Sequence, residues 1–311
     1  MKIIRSAREL ETGGRKVSLA IGFFDGVHLG HQQVIRQTIS DARQQEGLAL
    51  VVTFDRHPAE VIAPDRVPSL IYTQQQRIDA ISSLGADALL LLPFDEAFSR
   101  VDGESFVRGL ASDLGRVHSV CVGENFVFGH KRSGDVALLR HLGKELRFTA
   151  HGLEAVSLGN EAVSSTRVRE VIRKGELDMA GQLLGRDYSL AGAVISGDQV
   201  GRKLGFPTAN LDVRGRVTPP NGVYAAHAKV GGKNWRAAVN IGMRPTLREP
   251  KPVLHVEAHL LDFTADIYGQ SIELSFVEKL RDEQRFPSLD ALKEQISSDI
   301  QQVRELFASC R

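Results

Sequence analysis

Four apolar runs in the first 123 residues, VSLAIG, LALVVTF, ADALLLLPF and RVHSVCVG, are continuous rather than alternating. A strand with one wet face alternates apolar and polar side chains; a continuous run belongs to a strand buried on both faces, as in a parallel sheet covered by helices. Helical periods separate the runs. Val34, Ile35, Thr38, Ile39 and Ala42 recur at helical spacing, and TQQQRIDAISSLG ends at Gly85, a C-cap glycine. These are successive βαβ units, so an open parallel α/β sheet is expected.

Beyond about Gly185, after two further helical segments, SSTRVREVIRKG and ELDMAGQLLG, the period changes. GVYAAHAKV, GG and KNWRAAVNIG read as a hairpin whose Gly231-Gly232 supplies positive φ. VLHVEAHLLDF alternates, with Leu254, Val256, Ala258 and Leu260 on one face and His255, Glu257 and His259 on the other, and SIELSFVEKL continues the pattern. A small antiparallel β-barrel is expected, closed by a helix from about Ser288 whose apolar stripe is Leu289, Leu292, Ile296, Ile300, Val303 and Leu306. The change of pattern divides the chain into domains 1–185 and 186–311.

A hydrophobic share of 42% is ample for two cores. A net charge of +1 argues against a broad electrostatic grip on nucleic acid or an anionic membrane and favours small anionic ligands. The charged start MKIIRSARELE is not a signal peptide, and no segment approaches the ~20 apolar residues of a membrane span, so a cytoplasmic protein is expected. Cys121 and Cys310 are too few and too far apart to suggest a disulfide framework or a zinc site. The oligomeric state is left open.

Where the first strand passes into the first helix stands GFFDGVHLGH, with Gly22, Phe23, Asp25, His28, Gly30 and His31. In a parallel sheet the ligand crevice lies beyond the carboxyl ends of the strands, where a glycine-rich turn lets backbone and helix N-terminus approach a phosphate. Histidines three apart at a helix start project to one side and can donate to phosphate oxygens. The segment lacks a third metal ligand, which argues against metal binding; simple helix capping is the competing reading. In the second half, GDQVGRKLGFPTANL carries Gly197, Gly201, Lys203 and Gly205, but its spacing is not that of a Walker loop. Thr208 and Asn210 after Pro207 are either turn formers or hard-oxygen ligands.

H-x-G-H at His28 to His31, together with GENFVFG at Gly123 to Gly129 and SSTRVR at Ser164 to Arg169, resembles the nucleotidyltransferase superfamily. In this order the motifs resemble the adenylyltransferase half of the bacterial bifunctional riboflavin kinase and FAD synthetase family, and the likeness runs over essentially the whole chain. The resemblance implies a Rossmann-like nucleotidyltransferase domain, with His28, His31 and Arg169 catalytic and Gly22, Phe23, Asp25, Gly30, Asn125, Ser164 and Thr166 binding ATP. GFPTAN resembles the Pro-Thr-Ala-Asn motif of riboflavin kinases. That implies Thr208 and Asn210 as holders of Mg²⁺ and phosphate, Gly197, Gly201, Lys203 and Gly205 as the kinase nucleotide loop, and Glu257 as the base. TFDRHPAEV and LRDEQRF resemble further family loops but depart from them at Asp55, Arg56 and Asp282. The implied reactions are riboflavin to FMN and FMN to FAD, each using ATP. A nucleotidyltransferase for another phosphorylated acceptor, or a non-catalytic flavin-responsive regulator, are the alternatives.

Overall fold

The computed structural model describes residues 1–197, 201, 204–244 and 253–309. The continuous apolar runs form the strands β2 (Val17–Ile21), β3 (Leu48–Phe54), β4 (Ala88–Leu92) and β5 (Val117–Gly123). Every residue of β2 and the first six of β3 are buried, as the lack of alternation requires. At about 1.5–3 kcal/mol for each fully buried Val, Leu or Ile side chain, these strands carry much of the domain's stability. Two strands that the apolar pattern does not reveal, β1 (Lys2–Ile4) and β6 (Thr149–Leu153), edge the sheet, whose order is β1-β4-β3-β2-β5-β6 with all pairs parallel.

The helices of this half are α1 (Leu29–Gln44), α2 (Ala59–Ile62), α3 (Gln74–Ser83), α4 (Glu96–Ser99), α5 (Gly103–Leu114) and α6 (Val136–Leu146). Their starts obey local chemistry: Thr73 and Gln76 form a capping box on α3, and Asp102 and Asp135 cap α5 and α6. The chain leaves β2 towards β3 and β4 on one side, then returns to place β5 and β6 on the other. The switch point therefore falls between the carboxyl ends of β2 and β5, where an open α/β sheet holds its ligand.

A short hairpin of β7 (Ser157–Leu158) and β8 (Glu161–Ala162) precedes α7 (Ser165–Lys174) and α8 (Leu177–Leu184). By internal packing the chain divides into units 1–168 and 169–311. The second unit contains β9 (Ser189–Ile195), β10 (Ala209–Asp212), β11 (Gly222–Val230), β12 (Lys233–Arg244), β13 (Val253–Leu260) and β14 (Ser271–Arg281). They close an antiparallel barrel in the order β10-β13-β12-β11-β14-β9. Val230 pairs with Lys233, leaving Gly231 and Gly232 at φ 57° and 77° as the expected two-residue turn.

The last helix, Leu289–Ser309, is capped by the Ser288 hydroxyl and packs Val303, Ile300 and Leu306 against Ala225, Ala238 and Leu261. Leu289 departs from the expected stripe: at 63% exposure it stands in the first turn, beyond the reach of the barrel wall. Arg281 of β14 holds the helix through a bidentate pair with the buried Asp299, at 2.9 and 2.7 Å.

Candidate active sites

The turn after β2 is built under strain. Phe24 and Val27 are buried at φ 57° and 43°, a conformation costly for a β-branched valine, and Gly26, at φ 75°, lies against Ile71 where a Cβ would clash. Buried Asp25 anchors the turn: its carboxylate accepts from the backbone N–H of Ile71 at 3.1 Å and of Tyr72 at 3.2 Å. The Phe23 carbonyl accepts from Thr53 Oγ1 at 3.0 Å and from Arg77 at 2.9 Å. Arg77 also donates to the Phe54 carbonyl, and its guanidinium lies 4.2 Å from the centre of the Phe23 ring, whose other neighbour is the edge-on ring of His57. A buried arginine in this role is not evident from the polar, glutamine-rich helical segment that contains it; the signal was its place at i with Ile81 at i+4 and Leu84 at i+7, on the apolar face.

His28 is the N-cap of α1, its Nδ1 accepting from the His31 N–H at 3.4 Å. The two imidazoles stack at 3.7 Å, and Phe24 meets His31 edge-on at 5.3 Å. Capping and the projection of both rings to one side thus coexist. A Cβ at Gly30 would lie 3.3 Å from the His28 ring, so glycine lets that ring rest against the first turn. Gly22 similarly faces Phe24 at 3.0 Å.

Asn125 is exposed in the turn after β5, next to β2 in the sheet, so it and the histidine turn leave the same sheet edge at adjacent strands. Ser164 caps α7 by accepting from the Arg167 N–H at 3.2 Å, and the Ser165 hydroxyl donates to the Asp25 carbonyl at 3.2 Å. Thr166 is exposed; Arg169, one turn further along α7, is buried. Arg167 instead ties down the β7–β8 hairpin through the Leu158 and Glu161 carbonyls, both at 2.9 Å.

In the barrel, Asn210, Glu257 and Asn240 stand in register across β10, β13 and β12, and the row continues through Val223 to Arg281. Glu257, Asn240 and Arg281 face a cavity of about 290 Å³ whose apolar side is Leu204, Phe206, Phe286, Leu292, Ile296 and Ile300. A second cavity of about 400 Å³ is lined by Asn210, Phe263, Asp266 and Tyr268, and Thr208 belongs to the walls of both. The loop glycines have a steric reason: a Cβ on Gly197 would collide with the Asn210 amide, and one on Gly201 with the Phe206 carbonyl, close to the Thr208 hydroxyl. Gly205 has φ 93°, open only to glycine without strain, while Lys203 lies outside the described residues. Asp55 accepts from the Phe94 N–H, and Asp282 pairs with Lys279 on the surface. No helix among the described residues is long and apolar enough to cross a membrane.

A switch-point turn with stacked histidines, followed by a barrel whose polar row opens onto two adjoining cavities, fits a two-domain transferase of the nucleotide-using kind. A family model described as "FAD synthetase" matches residues 11–167, and one described as "Riboflavin kinase" matches residues 184–307. Proteins named bifunctional riboflavin kinase/FMN adenylyltransferase from Escherichia coli K12 and Pseudomonas fluorescens are each 36% identical, over 309 and 308 residues, covering 99% of this chain and 98% of theirs. A crystal structure described as a macrolide-efflux protein from Streptococcus pneumoniae superposes with a TM-score of 0.81 at 26% identity, covering 98% of this chain and 99% of that one. The chain belongs to the bifunctional riboflavin kinase/FMN adenylyltransferase family.

Proposed function

We propose that the barrel phosphorylates the riboflavin 5′-hydroxyl with ATP and that the α/β domain then joins FMN to the adenylyl group of a second ATP, giving FAD and pyrophosphate. The observation that carries the kinase assignment is the placement of Glu257 and Asn210 as register partners that open onto different cavities, with Thr208 between. The largely apolar cavity suits the flavin ring, and Glu257 on its wall takes the hydroxyl proton as the oxygen attacks. The cavity holding Asn210 suits the nucleotide, so the phosphoryl group passes at Thr208.

The Thr208 hydroxyl and the Asn210 amide oxygen are hard donors, held where Gly197 and Gly201 leave room for nothing larger, and they fit Mg²⁺. When bound, that ion neutralises charge on the phosphates. Gly197, Gly201, Lys203 and Gly205 form the nucleotide loop in this reading.

In the α/β domain no protein nucleophile is needed, because the FMN phosphate is already anionic and attacks the α-phosphorus directly. Catalysis rests on alignment and on charge stabilisation by His28, His31, the α1 N-terminus and Arg169. Gly22, Phe23, Gly30, Asn125, Ser164 and Thr166 form the ATP crevice, with Asp25 holding its floor through the Ile71 and Tyr72 amides. We place the functional boundary at 185/186 and the enzyme in the cytoplasm.

Incubating the chain with riboflavin and Mg-ATP, and separately with FMN and Mg-ATP, tests both halves by separating the flavin products. FMN must form in the first mixture, and FAD with stoichiometric pyrophosphate in the second. Failure of the second with other phosphorylated acceptors turned over would assign the α/β domain to a different substrate, and failure of both would leave a flavin-responsive regulator.

A further inference from the structure

Opposite the crevice end of α1, the fold assembles three potential metal ligands that lie far apart in the sequence. Asp41 sits on α1, three residues before its end, Cys121 on β5 and His151 on the edge strand β6, where Cys121 and His151 are register partners. Their ligand atoms lie within 4.8 Å of one another. Asp41 Oδ2 is 3.5 Å from Cys121 Sγ and 3.3 Å from His151 Nε2.

We propose that Asp41, Cys121 and His151 form a binding site for a borderline divalent transition-metal ion such as Zn²⁺. Three observations converge on it. First, tetrahedral zinc with its usual bond lengths separates bound sulfur and oxygen by about 3.5 Å and bound nitrogen and oxygen by about 3.3 Å. The two separations from Asp41 Oδ2 match these edges. Second, the carboxylate is already oriented: Gln37, one turn earlier on α1, donates to Oδ1 at 2.6 Å and leaves Oδ2 to face the other two ligands. Such outer partners are the usual support of a metal ligand.

Third, the site is shielded yet reachable. Asp41 and Cys121 are buried, whereas the His151 side chain is 33% exposed and offers an ion a path from solvent and a place for water as fourth ligand. On binding, the thiol proton leaves to solvent as the sulfur–metal bond forms. The mixed oxygen, sulfur and nitrogen set selects zinc or cobalt over magnesium, so the site stays distinct from ATP chemistry. A filled site would pin the end of α1, whose other end carries His28, to β5 and β6.

The test uses the full-length chain stripped with a chelator and titrated with Co²⁺ as a spectroscopic stand-in for Zn²⁺. One equivalent should bind with a thiolate-to-cobalt charge-transfer band, and Zn²⁺ should displace it. The band should vanish in Cys121→Ser and in His151→Ala, persist in Cys310→Ser, and need roughly 10- to 100-fold more metal in Gln37→Ala. His151→Ala alters a half-exposed edge residue, which keeps the test independent of any folding defect in Cys121→Ser. A wild-type protein without the band, or a band that survives Cys121→Ser or His151→Ala, overturns the proposal.

Discussion

His28 does two things that a single substitution to alanine removes together, and their sizes can be separated. As N-cap it accepts one backbone N–H at 3.4 Å, long for a hydrogen bond, so the cap is at the weak end of the usual range, about 0.5 kcal/mol. Its stack on His31 at 3.7 Å adds about 0.5–1.5 kcal/mol. Losing both should lower the melting temperature of the α/β domain by roughly 2–8 °C, at about 2–4 °C per kcal/mol for a domain of this size. Loss of one preorganised donor to the adenylyl phosphorus costs far more in rate, about 10²–10³. His28→Asp keeps a cap acceptor and removes the donor; His28→Ala removes both. FAD formed from supplied FMN should fall by that factor in both variants, with riboflavin phosphorylation in the barrel unchanged as the internal control, while both variants lose the stack and the alanine variant, which also lacks the cap, melts earliest. A pair of variants that differ in melting but turn FMN over near the wild-type rate would refute the donor role and leave His28 as a cap.

Two further substitutions probe the remaining assignments. Glu257→Gln preserves the size of the side chain on the cavity wall but removes the base, so FMN formation should drop by about 10²-fold or more in a riboflavin assay, with FAD formation from FMN retained; equal loss of both reactions would point to a folding defect. Asp25→Ala leaves the buried N–H groups of Ile71 and Tyr72 without their carboxylate, at about 1–3 kcal/mol for each, so calorimetry should show a large fall in stability; a normal melting curve with a raised KM for ATP would instead make Asp25 a direct nucleotide contact.

What could be read from the sequence follows from burial. The strands β2 to β5 were legible because burial on both faces leaves runs that are mainly apolar and do not alternate, with Ser18, Thr53 and Ser119 as buried polar exceptions, and the hairpin because Gly231-Gly232 fits one turn type. The edge strands were not: β6, Thr149 to Leu153, contains a histidine and a glycine and has one side open, so its composition is that of a loop. The residues Gly197 and Gly201 stood out as part of a glycine-rich loop without Walker spacing, but sequence could not show that they make room for Asn210 and Thr208. Asp25 read as a polar residue of a binding turn because its backbone partners lie 46 and 47 residues away.

The same distance along the chain explains why chemistry at the two ends of α1 differs in legibility. At its N-terminus His28 and His31 are one turn apart, and local periodicity alone brings their rings together. At its C-terminal end Asp41 meets Cys121 and His151 only because β5 and β6 are laid beside β2 by the switch in strand order, 80 and 110 residues downstream. With only two cysteines and no short metal-ligand spacing, the sequence offered no reason to pair those residues. A motif is visible where the helix or turn supplies the geometry; where the sheet supplies it, strand order must be known first. On this reasoning α1 links a site that is written locally to one that exists only in the folded domain.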